Sequence, residues 1–499
     1  MRSTPLSARL PEGIAVWLGY VAVGVGVFFP LVTRLGTHIL ADDVFIEPGR
    51  SDAYNFLWTY WWIQKAALSG ENLYHCSWVL PPTGANLYFH THVILPTLLT
   101  LPLGLLWGPV GGYNSMIVLM LSGAATVYYL FLRRTFGAQP LAGFVVGALF
   151  GFSPYFVFKT HAHLNLVGGV FWAGALAVLV HAHTHQQFSW RQGAAFSLLL
   201  WATFWTSFVE FFALVIVCVT TTIVFVVTAH CRNVRLDGWA HARFIGMVVP
   251  GAISLLSLLN APDVSAVDVA PFPDARLSDL LIPARLSILG GSLRASEFEY
   301  WGSHVPIVFV ILAVLGLRGR QVLLPVLLTA AMIVVVVLNP FGAPLALLRQ
   351  LPFGTGFRVA GRFLPFCYFF ALVPAAFGLQ RLLRWQRRVP RAGAQRSCHL
   401  VLGRVVSRQA DAIEGQELQR PNPARRGCGA RNLYADRSSW GVHKPARHLS
   451  GQHERARCSP LISRARRSQR RGDSEAPFSR VVSESNTTLK TPTRSNARS

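Results

Sequence analysis

The chain has 499 residues, of which 52% are hydrophobic and only 14% charged, against roughly 25% charged in an ordinary soluble domain; this excludes a plain soluble enzyme. The formal charge of +24 is unevenly spread: residues 381–499 hold 26 Lys and Arg against 8 Asp and Glu, a net +18, and the first 380 residues hold only +6. The basicity belongs to the tail, so nucleic acid is not an expected partner of the apolar body.

A helix rising about 1.5 Å per residue needs roughly 20 apolar residues to cross the hydrocarbon core. Several runs reach that length, and spans are predicted near 13–33, 112–132, 140–158, 164–181, 194–208, 209–229, 243–260, 304–317, 321–338 and 362–384. The first follows Arg2 and Arg9, is too long for a signal-peptide core and has no small-residue cleavage site, so it is read as a retained helix. The expected fold is therefore all-α, a polytopic integral membrane protein of about ten transmembrane helices, with the body at 1–386.

A further apolar run at 93–107 is broken by Pro96, Pro102 and Gly104, which disfavour an uninterrupted helix. If it does not span, the loops containing Arg133 and Arg134, His183 to Arg191, Cys231 to Arg243, Arg318 to Arg320 and Arg381 to Arg391 all face the cytoplasm, as the positive-inside rule requires. The run is therefore expected to be a re-entrant or interfacial juxtamembrane helix within a long first external loop. Twelve of the 14 carboxylates of the first 380 residues then fall on the external side.

That loop begins with Asp42, Asp43 and Asp52, followed by Trp58, Tyr60, Trp61 and Trp62. Aromatic side chains favour the membrane interface, and an aromatic belt with solvated carboxylates accounts for the segment as chemistry alone. Lys159, His161, His163 and Asn165 form a polar cluster between two apolar runs, and His90 and His92 form a second pair. A His-x-His pair is a weak metal signal without a third ligand, so an interfacial turn stands beside a binding role. The histidines of HAHTHQQ (181–187) alternate and are not expected to share one helical face.

Glu210 sits between two apolar runs; a carboxylate at mid-membrane costs about 2.5–3.5 kcal/mol, less at the outer end of a helix. Arg358 and Arg362, four apart before the last span, either anchor lipid headgroups or bind phosphate through their planar guanidinium groups. The seven cysteines, at 76, 218, 231, 367, 398, 428 and 458, include no C-x-x-C pair and suggest neither a zinc site nor a disulfide framework.

From 387 to 499 apolar periodicity stops and Arg, Ser, Gly and Pro dominate. Such a segment cannot bury enough surface to offset its ordering entropy. Two readings stand: a disordered cytoplasmic tail that meets anionic lipid or nucleic acid, or a product of a shifted reading frame.

Four ordered stretches, SDAYNFLW (51–58), LPPTGANLYFHTH (80–92), GFSPYFVFKTHAHLNL (151–166) and FRVAGRF (357–363), resemble motifs of the GT-C superfamily of integral-membrane glycosyltransferases, in its uncharacterised bacterial branch. Ser51 stands where that branch usually has Gly, and Ala360 where it has Pro. The resemblance implies transfer of a sugar from a polyprenyl-phosphate donor to a hydroxyl on a glycan, lipid or protein, at the outer face of the bacterial inner membrane. It implies Asp52 as general base, with Asp42 and Asp43 as the other carboxylates near the first helix. It implies Arg358, Arg362, Lys159, His161, His163, Asn165, His90, His92 and Glu210 as donor or substrate contacts. A divalent metal is compatible with the superfamily, and the residues here do not demand one.

The rival reading is a transporter or flippase of lipid-linked intermediates. It predicts ionisable or helix-breaking features at mid-membrane and an internal repeat; no clear repeat is present and the acidic groups gather in external loops, which favours the enzyme. The layout makes a direct prediction. Single cysteines placed near Glu71 and Ala275 should both react with a membrane-impermeant thiol reagent on intact cells; opposite sidedness would overturn the ten-helix arrangement.

Overall fold

The computed structural model describes residues 10–41, 51–87, 90, 93–231, 238, 305–317, 323–332 and 360–388. The expectations for 243–260, for Asp42, Asp43, His92 and Arg358, and for the tail lie outside them. The described residues are almost wholly helical, with one two-stranded hairpin. Among them, Leu101–Phe136, Pro140–Lys159, Leu164–His185, Phe208–Cys231 and Gly361–Gln386 are long and apolar enough to cross a membrane. Glu12–Val27 and Ile307–Gly316 are shorter apolar helices. That is the pattern of an integral membrane protein, and it includes five spans of the ten expected.

Helix α1 (Leu10–Val27) and the single turn α2 (Phe29–Val32) replace the predicted run 13–33. Pro30 lies at the start of α2, where its missing N–H costs nothing. After α2 the chain is tied back to the bundle: the Asn114 side-chain amide donates to the Leu35 and His38 carbonyls, at 2.7 Å each.

Helix α3 (Asp52–Ser69) holds the aromatic stretch Trp58, Tyr60, Trp61 and Trp62. Ser51 caps its N-terminus by accepting from the Ala53 N–H, and Gly70 ends it in the left-handed conformation at φ 69°. Ala53, Phe56, Tyr60 and Ile63 recur at three- and four-residue spacing and bury one face. That face packs on α4 (Ile94–Leu99) and α5 (Leu101–Phe136), where the Tyr60 hydroxyl lies 3.0 Å from the Thr100 hydroxyl. Beyond α3, β1 (His75–Cys76) pairs antiparallel with β2 (Ala85–Asn86), His75 opposite Asn86. The Trp62 indole N–H donates to the Leu73 carbonyl at 3.1 Å and fixes this hairpin to the helix.

The predicted break in 93–107 is real, and the chain there forms α4 and the first turns of α5. The interruption within α5 falls later than the prolines of the run: Gly108, just before Pro109, has φ 74° and ψ 169°. The remaining part of α5 packs against α1, α6 (Pro140–Gly151) and α8 (Gly169–His185). The predicted span 140–158 is divided, because Pro154 starts a separate short helix, α7 (Pro154–Lys159). The predicted span 164–181 opens as a 3-10 turn, Leu164–Leu166, before α8 proper.

Helices α9 (Trp190–Phe204) and α10 (Phe208–Cys231) follow on the far side of α8, then α11 (Ile307–Gly316), α12 (Leu323–Met332) and α13 (Leu364–Arg388). Helix α13 packs on α11, α12 and α6. The core is where α5, α6, α8 and α13 meet. The Tyr128 ring stacks on Phe150 at 4.4 Å and meets Phe369 edge-on at 5.3 Å, and its hydroxyl donates to the Phe369 carbonyl at 2.7 Å. Trp172 packs on Phe366 at 4.4 Å between ring centroids.

On α8, His181 and His185 do share a face, with ring centroids 4.5 Å apart, because alternate positions four apart return to the same side. Only His183 between them is turned away, onto Phe225. The three therefore do not share one face, as their alternation implies.

Gly108 occupies a backbone region essentially reserved for glycine, and a Cβ there would meet no atom within 4 Å. Gly108→Ala should therefore destabilise through conformation alone, by about 1–3 kcal/mol. Thermal unfolding of purified protein in detergent should fall; an unchanged midpoint would show that the break costs nothing.

Candidate functional site

The site is built from the N-terminus of α3 and the turn between α7 and α8. In that turn, the His163 N–H donates to the Lys159 carbonyl at 2.9 Å, and the Leu166 N–H to the His163 carbonyl at 2.9 Å. These bonds project His163 from a closed loop, so its position follows from two helix ends. Ser51 joins the two pieces: its hydroxyl caps α3 and also donates to the His161 carbonyl at 3.4 Å. A glycine at this position would make neither contact.

Asp52 is the first residue of α3, where the helix dipole favours an acidic group. Its Oδ2 lies 3.6 Å from His163 Nε2; the Asp52 side chain is 56% exposed and that of His163 16%. An accessible carboxylate is thus held beside an enclosed imidazole. Two stretches remote in sequence, SDAYNFLW and HAHLN, come together in space.

His90 meets α3 further along, at Thr59, seven residues after Asp52. Its Nδ1 is 3.4 Å from the Thr59 hydroxyl, and its ring meets Trp58 edge-on at 6.0 Å. Burial lowers the His90 pKa below that of a free histidine, and the Asp52 carboxylate partly offsets the shift. Since the folded state disfavours the imidazolium, this contribution to stability is present above about pH 6.5 and is lost as pH falls through the folded value.

Lys159, at the end of α7, is 2% exposed, with its ammonium 5.9 Å from the Tyr155 ring and 5.8 Å from the Phe158 ring. His161 points its Nδ1 at the Val157 carbonyl, 3.0 Å away, and so faces its own helix rather than Asp52. Asn165 is buried in the 3-10 turn, with no hydrogen-bond partner for its Oδ1. Arg362 lies in a second 3-10 turn, Ala360–Phe363, that leads into α13, and α13 packs against α7. Glu210 lies in the first turn of α10. Although it stands at a helix end, the residue is only 3% exposed.

Among the described residues, no group of three or more His, Cys, Asp or Glu side chains could hold a metal ion. On the outer surface, Lys65 pairs with Glu71 at 2.9 Å and lies over the exposed Trp78 ring at 4.7 Å. The Lys65 and Ser69 hydrogen bonds hold the Glu71 carboxyl below its usual range; an exposed pair of this kind adds little stability.

Sequence reasoning passed over Ser51 as a cap, and Gly168, Trp172 and Ser207 altogether. Ser207 carries a legible signal, the S-x-x-E spacing to Glu210 that marks a helix start. A single tryptophan in an apolar span carries none.

The Asp52 carboxylate is the charge that opposes the burial of His90. Asp52→Asn should move the His90 titration to still lower pH, measured by NMR of histidine-labelled protein. An unchanged titration would mean that the two side chains do not sense each other.

Comparison with known proteins finds no matching family model and no match among curated proteins. Among solved structures, the chain is similar to the crystal structure of ArnT from Cupriavidus metallidurans in the apo state, at 16% identity and a TM-score of 0.40. The match covers 78% of this chain and 65% of that one, so the chain spans less than two thirds of that protein's length. A likeness this slight assigns no chemistry to the chain.

Proposed function

We propose that the chain is a GT-C-type membrane glycosyltransferase, which moves a sugar from a polyprenyl-phosphate donor to a hydroxyl acceptor at the non-cytoplasmic face of a bacterial inner membrane. The observation that carries this reading is the Asp52–His163 contact at 3.6 Å. It joins two of the four motif stretches at one exposed carboxylate.

The chemistry follows from the groups present. The acceptor hydroxyl gives its proton to the Asp52 carboxylate as its oxygen bonds to the anomeric carbon. The bond from that carbon to the phosphate oxygen breaks, and polyprenyl phosphate leaves. His163 orients the carboxylate. Charge grows on the departing phosphate, and Lys159 and Arg362 are the cations assigned to it, arginine through a bidentate contact. Lys159 ends α7 and Arg362 lies in the turn that leads into α13, and these two helices pack on each other. Asp42, Asp43, His92 and Arg358 keep their assignments from the sequence resemblance, and no metal enters any step.

Asp52→Asn preserves size and much of the hydrogen-bonding capacity but accepts no proton at neutral pH. Turnover of a radiolabelled polyprenyl-phosphate sugar pool by the purified full chain in lipid should drop by about 10²- to 10⁴-fold. Arg362→Ala should weaken donor binding as well as rate. If Asp52→Asn keeps near-full activity while Asp42→Asn or Asp43→Asn is dead, the base belongs to the earlier pair. If all three variants remain active, the mechanism fails.

A further inference from the structure

Among the described residues, two helix starts have the S-x-x-E/Q spacing of a capping box, and they behave differently. At α9 the box closes in both directions: Ser189 Oγ accepts from the Gln192 N–H at 3.3 Å, and Gln192 Oε1 accepts from the Ser189 N–H at 2.9 Å. At α10 only half forms. Ser207 Oγ accepts from the Glu210 N–H at 3.3 Å. The Ser207 N–H is already taken by the Thr203 carbonyl at 2.8 Å, so the glutamate has no donor to reach back for.

The Glu210 carboxyl is turned instead toward the start of α8. It is buried, and neither of its oxygens has a regular hydrogen-bond partner. The groups facing it are the Trp172 indole N–H and the Gly168 backbone N–H. The indole nitrogen of Trp172, in a side chain with no exposed surface, is itself unpartnered. A Cβ on Gly168 would collide with Glu210 Oε2 and would lie 2.9 Å from a Thr206 methyl carbon. An acceptor that can take two bonds and two buried donors therefore stand together, each costly to leave unmade.

Gly168 and Trp172 belong to the segment that carries the candidate site. Gly168 precedes the first residue of α8 and lies five positions after His163, in the same chain of short turns. We propose that Glu210 is a positioning residue: its carboxyl clamps the Gly168 N–H and the Trp172 indole N–H, fixing the 160–168 turn and so the place of His163 beside Asp52. The inference rests on the transferase reading only for what the positioned turn is used for; the clamp itself is a statement about these three residues.

Amide hydrogen exchange on the full chain in lipid nanodiscs tests it without any sugar donor. Losing the shared acceptor in Glu210→Ala should speed exchange in peptide 160–169 about tenfold, with the part of α5 near Tyr128 unchanged. Glu210→Gln keeps a carbonyl acceptor and should restore wild-type protection. Gly168 has φ −69° and ψ 14°, which alanine adopts freely. Gly168→Ala should therefore displace the carboxyl, and with it the Thr206 methyl, and should raise exchange in the same peptide as Glu210→Ala.

Three results would overturn the clamp: wild-type exchange in Glu210→Ala, a rise spread evenly over all helices, or Glu210→Gln exchanging as fast as Glu210→Ala. If Glu210→Ala does not fold, Gly168→Ala and Glu210→Gln decide the matter by the same criteria. A confirmed clamp with no turnover in any lipid-linked sugar would count against the transferase reading alone.

Discussion

The packing of α5, α6, α8 and α13 around Tyr128, Phe150, Trp172 and Phe369 is the constraint on which the site depends. Hydrocarbon offers helices no hydrophobic drive to associate, so close packing and hydrogen bonds between helices have to supply it. Here rings meet face-to-face and edge-to-face over four helices, and the Tyr128 hydroxyl closes onto a main-chain carbonyl of α13. Tyr128 therefore satisfies its polar end while its ring fills the core, which is what an aromatic alcohol must do away from water. With the four helices held, their ends have fixed places, and the functional groups sit on those ends.

The candidate site is accordingly a meeting of helix termini. Asp52 opens α3, Lys159 closes α7, His163 projects from the turn before α8, and Arg362 precedes α13. A charged group at the end of a membrane helix costs far less than one at mid-membrane. Glu210 departs from this economy, since it lies at a helix start and yet is enclosed.

Much of the architecture was readable from apolar run length, since spans are required to be long and uniform. Helix junctions were less so. The division at Pro154 and the 3-10 turn at Leu164–Leu166 were read as parts of longer spans, because hydropathy does not register a proline or a change of helix type inside an apolar stretch. The contact between Asp52 and His163 was implied only by membership of the same set of motifs, since side chains separated by four helices leave no periodic trace. The Ser207–Glu210 spacing was present in the sequence, but its departure from a closed capping box depends on Thr203 having already taken the Ser207 N–H, which spacing alone does not reveal.

The break at Gly108 bears on how the protein fits its bilayer. Unbroken, Leu101–Phe136 would run about 54 Å at 1.5 Å per residue, far beyond a hydrocarbon core of roughly 30 Å. Such an excess is relieved by tilt, kinking or local thickening of the lipid. Gly108 provides the kink, and Leu105, Leu106 and Trp107 just before it are exposed, an apolar surface suited to acyl chains. The segment before Gly108 is the part of the chain that α3 grips through the Tyr60–Thr100 hydroxyl contact, so a change of angle at this kink is passed to α3, the helix that Asp52 opens.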